Sequence, residues 1–233
     1  MSEDKEKKEK RDNRQFIRVY KDFMEDNKYD SRDQFVYLLL KGFADQRFEG
    51  VSIASVDSIL RVLGFVVNTR NKNGIRESID TLIEHGAIKM YDDFSCTNEC
   101  YRVEHWNTYF FKIEDEEFAE SYFTKVYHED LNKFLKMDEK NKMKVFLVYY
   151  NIISRMYDSD SSDKYTLPNI EDISDETGVN RKTVPKYIKA LMENELIYYE
   201  SIRKAKDKTK NVYGRWEHKE YVRSFARSQW GNE

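Results

Sequence analysis

Ten basic side chains between positions 181 and 215 are the residues whose type and spacing could do chemistry. They fall into two groups. Arg181, Lys182, Lys186 and Lys189 lie off an apolar stripe of Val184, Tyr187, Ile188, Leu191 and Met192, whose offsets of 3, 4, 7 and 8 mark one buried helical face. Arg203 ends the first of two alternating apolar runs, 197–203 and 212–221; Lys204, Lys206, Lys208 and Lys210 occupy the join between them, and Arg215 lies on the second run. A helix fits the major groove of duplex DNA and presents side chains to base edges. A lysine-bearing hairpin beside it neutralises phosphates and releases their counterions. From Asn180 to Arg223 there are twelve Lys and Arg against six Asp and Glu, while the whole chain carries a net charge of −3. Positive charge is therefore concentrated where a groove-binding surface would be.

Other chemistry finds little footing. The histidines His85, His105, His128 and His218 are scattered, and none stands beside a nucleophile with a third orienting group. Neither an enzyme active site nor a cofactor is expected. Cys96 and Cys100 are the only cysteines, with His105 the one local candidate for a third zinc ligand, so two reduced thiols are the reading. The DSDSSD stretch at 158–163 has calcium-like spacing but lacks the glycine and closing glutamate of an EF-hand loop. Glu114, Asp115, Glu116 and Glu117 read as a solvated acidic face. Tyr109, Tyr198, Tyr199, Tyr213 and Trp216 read as core or hairpin pairs rather than as base-stacking groups.

The elements that position the cations can be read outward from Gly178. LPNIEDISDETGV fits a short helix with Ile170 and Ile173 inward, ended by that glycine in the left-handed conformation. Val179 plugs the turn and Asn180 is the expected cap of the next helix. A start nearer Thr183 would suit Pro185 better, since proline is tolerated only in the first helical turn. Helix, glycine turn, basic helix and basic hairpin make a winged helix-turn-helix.

The same order of parts occurs earlier. QFVYLLLKGF reads as a buried helix capped near Ser31, preceded by FIRVYKDFM as a strand that joins a wing sheet or as one helical turn. Val56, Ile59, Leu60 and Leu63 form one apolar face, broken by Gly64. Asn68 or Thr69 caps a further helix with Ile75, Ile79, Leu82 and Ile83 inward. The helix ends LIEHGAIKMYD and LMENELIYYES match in kind, so the fold is expected to repeat one module. The reading helix of this first copy would display Arg70, Lys72, Asn73 and Arg76. Its wing, 91–104, is acidic to neutral and should contribute less to phosphate binding; one module could instead serve homodimer formation through Phe110, Phe111 and the connector that follows.

The expected fold class is mainly α with small β wings, an α+β protein of two tandem winged-helix domains. Residues 1–14 form a disordered charged tail, 15–113 the first domain and 114–140 a helical connector. The second domain spans 141–223 and a C-terminal tail 224–233. In the connector Phe118, Tyr122, Phe123, Val126 and Tyr127 form one helical stripe, and Leu131, Phe134 and Leu135 another. Only 2 Pro and 8 Gly in 233 residues suit helices with short joins. No apolar run approaches the roughly 20 residues that span a bilayer, so no membrane partner and a cytoplasmic location are expected.

FIRVYKDFM, SRDQFVYLLLKGFAD and IRESIDTLIEHGAI resemble the N-terminal domain of plasmid replication initiator A proteins, and the tandem plan resembles the two-winged-helix initiators of Gram-positive plasmids and phages. The resemblance, one of pattern over most of 15–223, implies double-stranded DNA binding in bacteria, nucleoid or plasmid association, and replication proteins as partners. The same modules serve in transcriptional regulators of mobile elements.

Overall fold

The computed structural model describes residues 14–44, 50–104, 106–156, 164–204 and 208–230, without the side chains at 203, 204, 208 and 230. The expected charged tail lies outside the described residues as far as 13. Alternation of Ile17 and Val19 makes β1 (Phe16–Tyr20), which runs directly into the one-turn helix α1 (Lys21–Glu25). FIRVYKDFM is thus strand and then helical turn, but the strand joins neither wing sheet: it pairs with β6 (Phe123–Tyr127) in a two-stranded sheet of its own. Asp30, rather than Ser31, caps α2 (Ser31–Phe43) through a reciprocal box with Asp33. Residues 33–40 of α2 are all buried, so this helix sits inside the molecule rather than on it.

Then come β2 (Val51–Ala54), α3 (Val56–Val62) and α4 (Thr69–Glu84). Gly64 ends α3 at φ +74°, and Asn68 caps α4. A four-stranded antiparallel sheet follows in the order β2, β5 (Tyr109–Ile113), β3 (Ile88–Tyr91), β4 (Glu99–Cys100). Phe111 is fully buried and Phe110 rests against Phe94 at 5.8 Å. Phe111 is thus core, not an interface residue.

Residues 114–140 depart from a helical connector. A 3-10 turn (Glu116–Phe118) leads to β6 (Phe123–Tyr127), which pairs antiparallel with β1 from Phe16 opposite Tyr127 to Tyr20 opposite Phe123. Aromatic and β-branched residues at 123, 124, 126 and 127 favour a strand as soon as a neighbouring strand offers its hydrogen bonds. Only the second stripe is helical, as α5 (His128–Lys136) with Leu131 and Phe134 buried. The almost wholly buried α6 (Lys142–Ile153) packs against both α5 and α2. Phe35 of α2, Phe134 of α5 and Phe146 of α6 meet with ring centroids 5.4–6.4 Å apart. One continuous hydrophobic core thus runs from Ile17 to Tyr213.

The C-terminal half adds α7 (Ile170–Thr177), α8 (Val184–Glu193) and the hairpin of β7 (Ile197–Lys204) with β8 (Lys208–Arg215). Thr166 bridges to Tyr213 and extends the hairpin by one short rung. The expected tail 224–233 is instead helical to Trp230, in α9 (Lys219–Trp230). Val222, Phe225 and Ala226 recur at helical spacing and pack on Tyr198, Ile202 and Val212 of the hairpin. Val222 approaches Gly214 so closely that a Cβ there would lie 2.5 Å from its methyl carbon.

A buried charge joins the halves. Arg215 at the end of β8 is 3% exposed; its guanidinium lies 3.7 Å from Asp130 of α5 and donates to the Lys125 carbonyl of β6 at 2.6 Å. The fully buried Tyr149 hydroxyl of α6 donates to Asp130 at 2.6 Å and lies 3.3 Å from Arg215. Burial pushes the Asp130 carboxyl above its ordinary range, against the pull of Tyr149 and Arg215. Arg215→Met strands that carboxylate and is expected to cost about 3–5 kcal/mol in denaturant unfolding, much of it restored by adding Asp130→Asn. Because the folded-state pKa of Asp130 is raised, its contribution is full below the ordinary carboxylate range and lost as pH rises through the folded value. The parent should therefore lose stability from acid towards neutral pH, a slope that Asp130→Asn, which leaves Arg215 without its carboxylate, should lack.

Candidate nucleic-acid interface

The local fold around α8 follows from a few polar contacts. Asn169 caps α7 in a reciprocal box with Asp172, and Gly178 ends that helix at φ +63°. Ser174 Oγ donates to the Val179 carbonyl at 2.8 Å, and Val179 is buried in the turn. Asn180 caps a tight turn instead of a helix: its Oδ1 accepts from Lys182 N and its carbonyl from Thr183 N. The helix proper begins after Thr183, with Pro185 in its first turn where no N–H is required. Arg181 and Lys182 thus stand on the turn, and Lys186 and Lys189 on the helix.

All four of these cations are exposed, while Val184, Tyr187, Ile188 and Leu191 are buried on the opposite side. Three already hold carboxylates. Arg181 pairs with Glu171 of α7, Lys186 with Glu139 at 2.8 Å, and Lys189 with Glu193 at 3.6 Å. The hydrogen bond from Lys186 holds the Glu139 carboxyl below its usual range and in turn raises the lysine. Lys182 makes no ion pair among the described residues. Glu139 and Glu171 are not legible as partners in the sequence, because neither is near its cation there.

The hairpin beside α8 pairs Ile202 with Lys210, Arg203 with Thr209 and Lys204 with Lys208. Lys210 is half-buried, whereas Lys206 and the side chains of Arg203, Lys204 and Lys208 lie outside the described residues. Arg215, expected among the DNA contacts, belongs to the buried joint described above and offers no surface to a ligand.

On α4 the expected set is divided. Arg70 is exposed and without an ion pair among the described residues. Lys72 is held by Asp57 at 2.8 Å, Asn73 is half-buried, and Arg76 is half-buried beside Asp80. The first wing carries no lysine tip: Asp93 closes its loop by accepting from Thr97 and Asn98, and Phe94, Tyr101 and Trp106 are exposed.

Cys96 and Cys100 are free thiols, and no cluster of three potential metal ligands occurs among the described residues. His105 and the DSDSSD stretch lie outside those residues. Among the described residues no helix is long and apolar enough to cross a membrane.

No protein-family model matches the chain, and no curated protein matches its sequence. Among solved structures it is similar to the crystal structure of RctB domains 2-3, at 14% identity and a TM-score of 0.45, over 82% of this chain and 84% of that one.

The turn supports α8 through backbone conformation alone, since a Cβ on Gly178 would meet nothing within 4 Å. Gly178→Ala should therefore cost about 1–2 kcal/mol from left-handed strain, with no added clash. Lys189→Ala, which removes the exposed pair with Glu193, should shift stability by less than about 1 kcal/mol. Thermal melts of the two variants check both.

Proposed function

We propose that the chain is a sequence-specific double-stranded DNA-binding protein built from two winged helix-turn-helix units. The observation that carries this reading is α8 with the turn before it: after a left-handed glycine, Arg181 and Lys182 on the turn and Lys186 and Lys189 on the helix are exposed, while the stripe from Val184 to Leu191 is buried. The order of elements supports the doubled plan. α2, β2, α3, α4 and the β3–β5 hairpin find their counterparts in α6, the Thr166 bridge, α7, α8 and the β7–β8 hairpin. In such a unit phosphate contacts set affinity and register, while a few side chains choose bases.

Arg181, Lys182 and Lys186 would face the major groove, and the lysines of the β7–β8 tip the backbone. Arg70 would be the main cation of the first unit. The pair of Arg181 with Glu171 is no barrier, because exposed ion pairs are worth only about 0–1 kcal/mol and exchange for phosphate; Lys186 is itself exposed, although its partner Glu139 keeps only 12% of its side chain in solvent. The resemblance to plasmid and phage initiators supports a role in replication initiation at iterated origin repeats, with replication proteins as partners and no catalytic centre. The pairing of α8 cations with Glu139 and Glu171 favours one other reading, a protein-interaction module that keeps the fold without reading DNA.

Fluorescence anisotropy against duplexes at several salt concentrations separates these. Changing Lys204, Lys206, Lys208 and Lys210 together to Ala should weaken binding to every duplex and flatten its salt dependence by about 0.9 for each phosphate no longer neutralised. Arg181→Ala should relax base preference at one position and cost about 1–3 kcal/mol on the preferred site. A parent protein that binds no duplex would leave the interaction module; equal binding by the quadruple variant at every salt would remove the wing from the interface.

A further inference from the structure

The sheet of β1 and β6 turns Ile17, Val19 and Val126 into the core. Its other side carries Phe16, Arg18 and Tyr20 from β1 and Phe123, Lys125 and Tyr127 from β6, so that ring and cation alternate along both strands. The register sets Arg18 opposite Lys125 in the middle, with an aromatic pair at each end. The rings of Phe16 and Phe123 come together across that middle pair, centroids 6.5 Å apart and planes within 3° of parallel. Lys125 Nζ lies 5.3 Å from the Phe16 ring and the Arg18 guanidinium 5.2 Å from the Phe123 ring. At the ends, Arg14 covers Tyr127 at 3.7 Å and Lys41 covers Tyr20 at 4.7 Å.

The rings of Tyr20 and Tyr127 are buried beneath their cations, but those of the two phenylalanines are not. Phe16 is half-buried, Phe123 is 43% exposed, and the adjoining Tyr122 is 82% exposed. Arg18 is exposed and has no carboxylate partner among the described residues. Aromatic faces at the surface combined with fixed positive charge complement a ligand that has both flat rings and a regular negative charge. Duplex DNA hides its base faces, and an acidic peptide would answer the cations while leaving the rings uncovered. A single strand offers both.

We propose that this face is a second nucleic-acid site, taking single-stranded DNA with bases stacked on Phe16 and Phe123 and phosphates against Arg18 and Lys125. It uses none of the residues assigned to duplex binding and stands without that reading. A chain that has both sites holds a duplex repeat and a separated strand at once.

The test uses the full chain and a labelled oligothymidine of about 15 nucleotides, within the length one such platform covers. Anisotropy should show binding that falls at least about fivefold in Phe123→Leu, the effect of losing one stacked base. Arg18→Met, at an exposed position with little fold risk, should weaken binding and flatten its salt dependence while the melting temperature stays that of the parent. Neither variant should change duplex affinity, which is measured in parallel and alone decides the duplex reading. Absence of oligothymidine binding by the parent, parental affinity in both variants, or weakening only in the α8 and wing variants would overturn the proposal. Tighter binding of oligouridine than of oligothymidine would overturn its assignment to DNA.

Discussion

The interaction on which the rest of the molecule depends is the buried contact of Arg215 with Asp130 and Tyr149. A guanidinium out of water is tolerated only when its donors are taken up and a negative charge is near. Here those partners come from β6, α5 and α6, while the arginine itself comes from the last position of β8. The charge therefore cannot be satisfied unless the C-terminal hairpin closes against the strand that pairs with β1. Arg14 reinforces this closure through Glu217, 2.9 Å away, just beyond β8. The consequence is geometric: α4 and α8 are parts of one body with a shared aromatic core, so the spacing between them is set by the fold rather than by a linker.

The surface cations obey a different balance. Arg181, Lys186 and Lys189 are solvated, and the exposed pairs of Arg181 and Lys189 are worth little, so these cations stay available to a polyanion. Arg215 has the same charge in the same stretch of sequence and is unavailable, because burial makes its pairing obligatory. Location, not charge, divides a structural cation from a binding one. The same distinction operates on α4, where Lys72 is drawn against Asp57 of α3 while Arg70, two residues earlier, stays in solvent.

Much of the fold is legible in the sequence where one periodicity dominates. The stripes of α3, α4 and α8 are plain, and Asn68, Gly64 and Gly178 mark ends where only their chemistry fits. Pro185 points to the true start of α8, because a proline deeper in the helix would strip out a backbone hydrogen bond. Residues 118–127 mislead because their apolar side chains satisfy both helical and strand spacing, and only the presence of β1 decides between them. The signal of α9 is short, three apolar positions at Val222, Phe225 and Ala226, and it gains weight only once the back of the hairpin exists to cover them. The candidate site is legible as charge, since the two cations of the turn and the two of α8 are all exposed, yet its carboxylate partners and the burial of Arg215 depend on contacts distant in sequence.

The two halves form one cooperative body, and scanning calorimetry of the intact chain is the measurement that bears on it. A single transition whose calorimetric enthalpy equals its van't Hoff enthalpy is the predicted result. Two resolved transitions, with the C-terminal half melting apart from the rest, would contradict it.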